Sequence, residues 1–358
     1  MTERQEGAGK MTDARVLVVG NFLSASIGSR GVCEDLADRL SASGWTVLTT
    51  SRKPGRIARL LDMLKTVWGK SCQYEVATID TFSGLAFFWA EAVGFALRRL
   101  RKSYILTLHG GNLPDFARRQ PKRVTRLLKS AAAVTAPSRY LLERMRTYRT
   151  DIVLIQNPVD IARYRFGLRD TPRPALVWLR AFHEVYNPRI AVQVAASIIR
   201  EHPECRLLMG GGDKGDGSLQ RTEELAKALG IAGSVEFSGK IASSEVPDWL
   251  QGGDVFINTT NVDNAPVSVI EAMACGLCVV STNVGGIPCL LDDGKDALLV
   301  PPDDPEAMAA AIRRILTEPG LSERLSKNAR RKAEQFDWSS MLPRWEELLR
   351  NVAGAGSV

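Results

Sequence analysis

The sequence predicts an α/β fold built on parallel sheets and divided into two domains. The clearest sign lies in residues 263–288, where a helical pattern leads directly into a short strand and a glycine turn. Pro266 suits the first turn of a helix, Gly276 suits its end, and the apolar run 277–281 is typical of a strand buried on both faces of a parallel sheet. At 358 residues the chain is long enough for two domains of ordinary size.

Short apolar runs of the same kind recur through the first half of the chain. The run 15–20 ends in glycine and precedes a helix-like stretch over 32–41, which makes a strand–helix unit with a glycine-bearing loop. The loop does not have the GxGxxG spacing of a dinucleotide site. Further strands are predicted over 45–50, 104–108, 131–138 and 152–155.

The second half repeats this alternation after a proline-rich boundary at 171–174. Residues 210–215 literally match GxGxxG, which leaves a nicotinamide dehydrogenase as one alternative, although the loop continues through 216–218 before a helix begins. Strands are predicted over 175–179, 206–209, 234–239 and 255–258, and helices from about 187, over 324–336 and over 341–352.

The composition is that of a soluble globular protein, 45% hydrophobic and 24% charged. The opening ten residues are too polar for a signal peptide, and the most apolar run, 82–97, is too short to span a bilayer. The six cysteines are scattered, which favours reduced thiols and a cytoplasmic protein. Cys275 and Cys278 form a CxxC pair at a helix exit with no second ligand pair nearby, so no metal site is predicted.

Positive charge is concentrated in the first half of the chain. Residues 1–170 carry 28 Lys and Arg against 15 Asp and Glu, whereas residues 171–358 carry 19 against 25. Residues 52–70 combine an apolar stripe with basic residues, among them Arg59, and with Trp68, a pattern typical of a helix on an anionic membrane surface. The alternative is a helix packed on the sheet with a solvated basic face. Nucleic acid is not an expected partner, because no aromatic residues alternate with the basic clusters.

The stretch 263–271 has the chemistry of a nucleotide-sugar site. Backbone amides near Pro266, Val267 and Ser268 open the predicted helix and are donors for a phosphate. Asp263 and Glu271 are spaced so that both carboxylates can face one crevice, where they would accept hydrogen bonds from sugar hydroxyls. The alternative is an ordinary helix of an α/β domain with solvated acids.

The same residues, DNAPVSVIE, resemble the acidic-x7-acidic signature of the retaining, family-4 glycosyltransferases, with Asp263 in place of the usual first glutamate. The resemblance implies the GT-B fold: two Rossmann-like domains whose parallel sheets face a central cleft, and a last helix that crosses back to the first domain. We therefore expect a tail over 1–13, an acceptor-side domain over 14–168, a donor domain over 173–337 and the returning helix over 338–353.

The resemblance also implies roles for individual residues. Glu271 would bind the donor ribose, Asp263 would meet the transferred sugar, and His109, at the end of a strand, would lie in the catalytic pocket. Arg180 would bind the donor diphosphate. The lysine that the family has five residues later is absent from this chain. The candidates to replace it are Tyr186, Asn187, Lys214 and Lys240. The glycine loops would line the donor, with Gly28, Arg30 and Gly31 in the first half and Gly211 and Gly212 in the second.

The resemblance thus implies a retaining glycosyltransferase, of the hexosyl or N-acetylhexosaminyl class, that uses a UDP- or GDP-sugar without a metal. The basic first half favours a lipid-linked or cell-envelope glycan acceptor and peripheral attachment to an anionic membrane. A second hypothesis is a catalytically degenerate, membrane-associated binding or scaffolding protein on the same fold.

Overall fold

The first sheet of the computed structural model, which describes residues 14–23 and 31–355, has strand order β2-β1-β3-β4-β5-β6. Strand β1 pairs with β2 and β3 in parallel. The strands are β1 (Arg15–Val19), β2 (Thr46–Thr50), β3 (Val76–Thr81), β4 (Ser103–Leu108), β5 (Ala133–Ala136) and β6 (Ile152–Leu154). The helices between them are α1 (Val32–Ala42), α2 (Arg56–Gly69), α3 (Leu85–Arg99), α4 (Leu113–Arg119), α5 (Pro121–Ser130) and α6 (Arg139–Met145).

The second sheet has strand order β12-β11-β10-β7-β8-β9, and each neighbouring pair is parallel. Its strands are β7 (Ala175–Leu179), β8 (Arg206–Gly210), β9 (Val235–Gly239), β10 (Val255–Asn258), β11 (Cys278–Thr282) and β12 (Leu298–Val300). The remaining helices are α7 (Pro188–Ile199), α8 (Ser218–Ala228), α9 (Val246–Leu250), α10 (Val267–Cys275), α11 (Ile287–Leu290), α12 (Pro305–Thr317), α13 (Leu321–Ala333) and α14 (Trp338–Ala355).

Alternate residues of β7 show how the second sheet is buried on both faces. Leu176 and Trp178 belong to one apolar cluster, whereas Val177 between them belongs to another, and all three are fully buried. Side chains of successive strand residues point to opposite faces, so a strand covered by helices on both sides must be apolar throughout. The α/β class predicted from the sequence is therefore confirmed.

The described residues form two compact units. The first contains the described residues up to Thr107, residues 126–134 and the chain from Leu342 onwards; the second contains residues 108–125 and 135–341. The C-terminal part of α14 thus returns to the first unit, where Glu346 accepts hydrogen bonds from Ser43 and from the indole of Trp45 at 2.6 and 3.2 Å. The domain boundaries near 168–173 stay a prediction.

The structure differs from the sequence-based expectations in one strand and one arginine. Strand β3 was not predicted, although it lies beside β1 in the first sheet. Arg59, predicted from sequence to be one of the exposed basic residues, on a membrane surface or in solvent, is buried: it donates at 2.9 Å to the carbonyl oxygens of Lys53 and Pro54 and to Oδ1 of Asn21. Burial, with the nearby charge of Arg56, lowers the pKa of Arg59. This arginine stabilises the start of α2 and is not available at the surface.

None of the helices within the described ranges combines the length and the apolar character needed to cross a bilayer.

Candidate functional site

The site lies in the second unit, where the strand order reverses. Strand β7 lies between β8 on one side and β10 on the other. The chain continues from β7 towards β8 and from β10 towards β11, so the loops that follow β7 and β10 separate in opposite directions. In open parallel sheets ligands bind in the crevice that this divergence leaves at the carboxyl ends of the strands. Arg180 follows β7 directly, and Asp263 lies in the loop between β10 and α10.

Arg180 and Asp263 form an ion pair. Nη2 of Arg180 donates to Oδ2 of Asp263, and the two side chains are only 15% and 11% exposed. The other carboxylate oxygen of Asp263 accepts from the amide of Asn264 at 2.8 Å. The guanidinium Nε of Arg180 is buried without an acceptor in the described part of the chain. Asp263 thus satisfies one donor of this guanidinium, whereas Nε is unpaired in the described residues.

Tyr186 occupies the region where the family's second cation is missing. The guanidinium carbon of Arg180 lies 4.2 Å from the centre of the Tyr186 ring, a cation–π contact. The loop after β10 binds the backbone of Val185 and Tyr186. The hydroxyl of Thr259 donates to the Tyr186 carbonyl at 2.7 Å, and the amide of Asn261 donates to the Val185 carbonyl at 2.8 Å. Tyr186 therefore fixes the orientation of Arg180 rather than adding a charge.

Gly211 allows the loop after β8 to lie against Arg180. A Cβ at Gly211, whose φ is +146°, would stand 1.7 Å from the Arg180 carbonyl oxygen. The amide of Arg180 donates to Gly210 O at 3.1 Å, and Phe182 donates to Gly212 O at 2.9 Å. Gly211 and Gly212 thus lie beside Arg180. The helix after this loop begins only at Ser218, as expected for a loop that is not a dinucleotide fingerprint.

A second glycine pair shapes the loop that carries Asp263. Cβ atoms at Gly285 and Gly286 would stand 2.0 and 1.9 Å from the carbonyl oxygens of Asp263 and Asn264. The amide of Gly286 donates to Asp263 O at 3.0 Å. The glycine turn after β11 therefore packs directly against the loop between β10 and α10.

The N-terminus of α10 presents free donors beside this loop. The helix is capped by Pro266, and the amides of Val267 and Ser268, which open it, meet no acceptor within the described residues. The hydroxyl Oγ of Ser268 is also buried and lacks a partner in the same ranges. Unpaired amides at the positive end of a helix are a binding site for an anion such as a phosphate.

Glu271 lies in the second turn of α10 and is half-buried. The hydroxyl of Tyr164 donates to Oε1 of Glu271 at 2.7 Å, and Tyr164 itself is only 4% exposed. Burial, and then the negative charge of Glu271, raise the pKa of Tyr164, so the phenol remains a donor. Tyr164 was not predicted as a site residue, because it lies 107 positions from Glu271 in the sequence and belongs to no recognisable local pattern.

The loop after β4 meets the same region. His109 is half-buried, and a Cβ at Gly111 would stand 3.0 Å from Cγ1 of Val262 and 3.5 Å from the carbonyl carbon of Asp263. The hydroxyl of Ser138, which caps α6, donates to the amide oxygen of Asn264. The loop that bears His109 therefore packs against the loop that bears Asp263. Ser138 and Asn264 were not predicted as site residues.

The remaining predicted residues include two lysines close to the Gly211 loop: Lys240 follows Gly239, whose carbonyl accepts from the Gly211 amide at 2.6 Å, and the amide of Lys214 donates to Phe182 O at 3.2 Å. Lys240 is exposed at the end of β9, and Lys214 is exposed in the loop after β8. Gly31 belongs to the first unit, where it caps α1 and its amide donates to Glu34 at 3.3 Å. Gly28 and Arg30 lie outside the described residues. No three His, Cys, Asp or Glu side chains in residues 14–23 and 31–355 are grouped to hold a metal ion.

Two family models match the chain. Residues 162–332 match the model for Glycosyl transferases group 1, and residues 50–163 match the model for Glycosyltransferase Family 4. The matches overlap at residues 162–163, so together they account for the chain from residue 50 to residue 332.

The curated relatives include D-inositol 3-phosphate glycosyltransferases. The one from Streptomyces bingchenggensis is 32% identical over 185 residues, which are 49% of this chain and 40% of the relative. The one from Rhodococcus erythropolis is 29% identical over 265 residues, 69% of this chain and 60% of the relative. The chain thus spans about half the length of these relatives.

Solved structures confirm the fold. Sucrose-phosphate synthase from Thermosynechococcus elongatus superposes with a TM-score of 0.79 at 19% identity, covering 96% of this chain and 100% of that one. Anabaena HepE in complex with UDP-glucose gives a TM-score of 0.75 at 17% identity, covering 94% and 99%. The GT-B architecture expected from the sequence is confirmed.

Proposed function

The chain belongs to the group 1, family 4 glycosyltransferases, and from this premise we propose that it transfers a sugar from a nucleoside diphosphate to an acceptor hydroxyl. One observation carries the proposal: a buried arginine, a helix N-terminus with unpaired amides and a hydrogen-bonded glutamate lie around the same strand ends. The donor that this combination suits has a diphosphate next to a polyhydroxylated group.

Each group has a distinct role in the proposed reaction. Negative charge grows on the departing diphosphate, where Arg180 and the amides of Val267 and Ser268 would stabilise it, a contribution of several kcal/mol when water is excluded. Glu271, oriented by Tyr164, would accept hydrogen bonds from the ribose hydroxyls. Asp263 and His109 would lie beside the transferred sugar.

The finer assignments extend the proposal by analogy with the family. We propose a UDP- or GDP-linked hexose or N-acetylhexosamine as donor, retention at the anomeric carbon, and no metal in the reaction. Anabaena HepE, of the same fold, has been solved with UDP-glucose, which makes uridine donors the first to test.

The acceptor proposal rests on the charge of the first half of the chain. The excess of Lys and Arg in residues 1–170 supports a lipid-linked or cell-envelope glycan acceptor and peripheral contact with an anionic membrane. All six cysteines are free, in keeping with a reducing cytoplasm.

A donor panel tests the proposal directly. UDP-glucose, UDP-N-acetylglucosamine and GDP-mannose are each added to the full chain, and both the melting temperature and the slow hydrolysis of the donor are measured. At least one donor should stabilise the protein and be hydrolysed, and Glu271→Ala should abolish both effects. Glu224→Ala, on the exposed face of α8, is the matched control and should change neither. If no donor has either effect, the transferase proposal fails and the binding-protein hypothesis replaces it.

A further inference from the structure

The first unit carries an exposed apolar face on two adjacent helices. On α2 the side chains of Ile57, Leu61 and Trp68 are 78%, 61% and 50% exposed, although Met63 and Val67 of the same helix are buried. On α3 the exposed apolar residues are Leu85, Phe88 and Phe95. Proteins in solution rarely leave a contiguous surface of this kind uncovered, and such surfaces mark interaction sites. Helix α2 therefore combines the two alternatives considered from sequence: one side packs inside, and the other is apolar and exposed.

A groove runs along this face. Its volume is about 540 Å³, and its walls come from α2, α3 and the C-terminal part of α5. Aromatic and aliphatic side chains form most of the lining, and one of its two arginines, Arg98, belongs to the last turn of α3. The lining residues are Leu64, Trp68, Phe88, Glu91, Ala92, Phe95, Ala96, Arg98, Arg126, Leu127 and Ser130. A volume of this size is that of an ordinary small-molecule pocket.

The two arginines supply the groove with uncompensated positive charge. Nη1 of Arg98 donates to the hydroxyls of Tyr104 and Ser130 at 2.8 and 2.9 Å, both neutral acceptors, and Arg126 is exposed. Within the described residues neither arginine forms an ion pair. Glu91, the acidic residue of the lining, has its own partner in the protein. The hydroxyls hold Arg98 in place without neutralising it.

We propose that this groove holds one hydrocarbon chain of an anionic membrane lipid, with the lipid phosphate beside Arg98 and Arg126, and that the exposed face of α2 and α3 rests on the bilayer. The occupant must be apolar along its length and anionic at one end, which is the chemistry of such a lipid. A tryptophan at the edge of an apolar helix face with basic residues around it is typical of a membrane interface.

A second copy of this chain fits the face less well. In a symmetric dimer the same surface meets itself, so the arginines of one copy would approach those of the other. Like charges brought together in this way oppose association, whereas an anionic lipid would neutralise them. The inference extends the membrane partner proposed above and does not depend on sugar transfer.

Flotation with vesicles tests the surface. The full chain should float with vesicles of phosphatidylglycerol and phosphatidylcholine in equal parts, and much less with phosphatidylcholine alone. Phe88→Ser should weaken binding about tenfold through the loss of apolar contact. Arg126→Gln should weaken it about fivefold. The matched controls, Leu229→Ser and Lys227→Gln at the exposed end of α8, should float like the unmodified chain.

A series of alkyl phosphates tests the groove itself. Affinity for octyl, decyl and dodecyl phosphate below their micelle concentrations should rise roughly fourfold for each added methylene. Ala92→Phe, which fills the groove, should remove this dependence on chain length while flotation persists. An unchanged series in Ala92→Phe would overturn the proposed groove.

Two outcomes would overturn the proposal that this face binds a membrane. One is equal flotation with neutral and anionic vesicles. The other is a stable dimer in solution that Phe88→Ser converts to a monomer, because the face would then bind a second copy. Donor-induced stabilisation measured on the same Phe88→Ser protein keeps the two proposals distinguishable: it should persist if only the membrane surface is lost.

Discussion

At the residue scale, the proposed donor diphosphate would compete with Asp263 for the guanidinium of Arg180. Arg180 is paired with Asp263 and is stacked on Tyr186. A bound diphosphate would have to share this arginine or draw it away from the carboxylate. The pair can thus hold Arg180 in place before the donor arrives.

Asp263→Asn separates binding from transfer. The variant frees Arg180 from a charged partner, so affinity for UDP should rise several-fold. Transfer should nevertheless fall roughly 100-fold, because an NH₂ donor replaces one carboxylate oxygen that would accept from the sugar hydroxyls, and the sugar is then held out of position. Calorimetry with UDP and a product assay measure the two effects. A parallel loss of UDP affinity would contradict this account of the pair.

Tyr164→Phe tests the orientation of Glu271. Loss of the 2.7 Å hydrogen bond should cost about 1 kcal/mol, which is a donor dissociation constant raised roughly fivefold. Tyr140→Phe, which removes a hydroxyl from a tyrosine on α6, is the control and should leave donor affinity unchanged. An unaltered dissociation constant in Tyr164→Phe would show that Glu271 does not need the phenol.

Asp254 should make the free energy of unfolding depend on pH. Burial alone would raise the pKa of Asp254, but hydrogen bonds from Arg173 and the charges of Arg169 and Arg173 outweigh it and leave that pKa below its usual 3.8. Because the folded pKa is depressed, this stabilisation is complete above pH 3.8 and disappears as the pH falls through the folded value.

The substitution Asp254→Asn makes this contribution measurable. It should lower the free energy of unfolding by about 3 kcal/mol at neutral pH, since it leaves Arg169 buried without its anion. The difference from the unmodified protein should shrink in acid, as urea denaturation at several pH values would show. A difference that is independent of pH would refute the assignment.

At the scale of elements, α10 depends on the glycine turn behind its loop. Gly286→Ala would place a Cβ 1.9 Å from Asn264 O, so the loop from Asp263 to Pro266 must move. Donor affinity should fall at least tenfold, while the far-UV circular dichroism spectrum stays the same. Gly233→Ala, where a Cβ meets nothing within 4 Å, is the control. Normal donor binding in Gly286→Ala would mean that the loop position is unimportant.

Helix α10 and strand β11 also show what a sequence can reveal. Proline at the start, glycine at the end and apolar spacing between them are local signals, and the helix runs from Val267 to Cys275 with Gly276 at φ +81°. The partners of this element are not local. The hydrogen bonds from Tyr164 to Glu271 and from Ser138 to Asn264 join residues 107 and 126 positions apart, and no spacing in the chain encodes them.

At the scale of the whole molecule, the sequence predicted the α/β class because strand and helix patterns alternate along the chain, and the GT-B architecture because residues 263–271 resemble a family signature. The excess of positive charge in the first half of the chain could also be read from the sequence, but which basic side chains are exposed could not. Arg59 looks like a surface residue in a basic helix and is buried, since only packing decides which side of α2 faces the sheet. The exposed faces of α2 and α3 form one surface only when the two helices lie side by side.

The central claim is that Arg180, the first amides of α10 and Glu271 hold a nucleoside diphosphate sugar. A crystal structure of the chain with a donor that stabilises it is the most direct measurement. The account predicts the diphosphate within hydrogen-bond distance of Arg180 and of the amides of Val267 and Ser268, with the ribose hydroxyls on Glu271. A donor bound elsewhere, or one whose diphosphate leaves those amides unpaired, would contradict it.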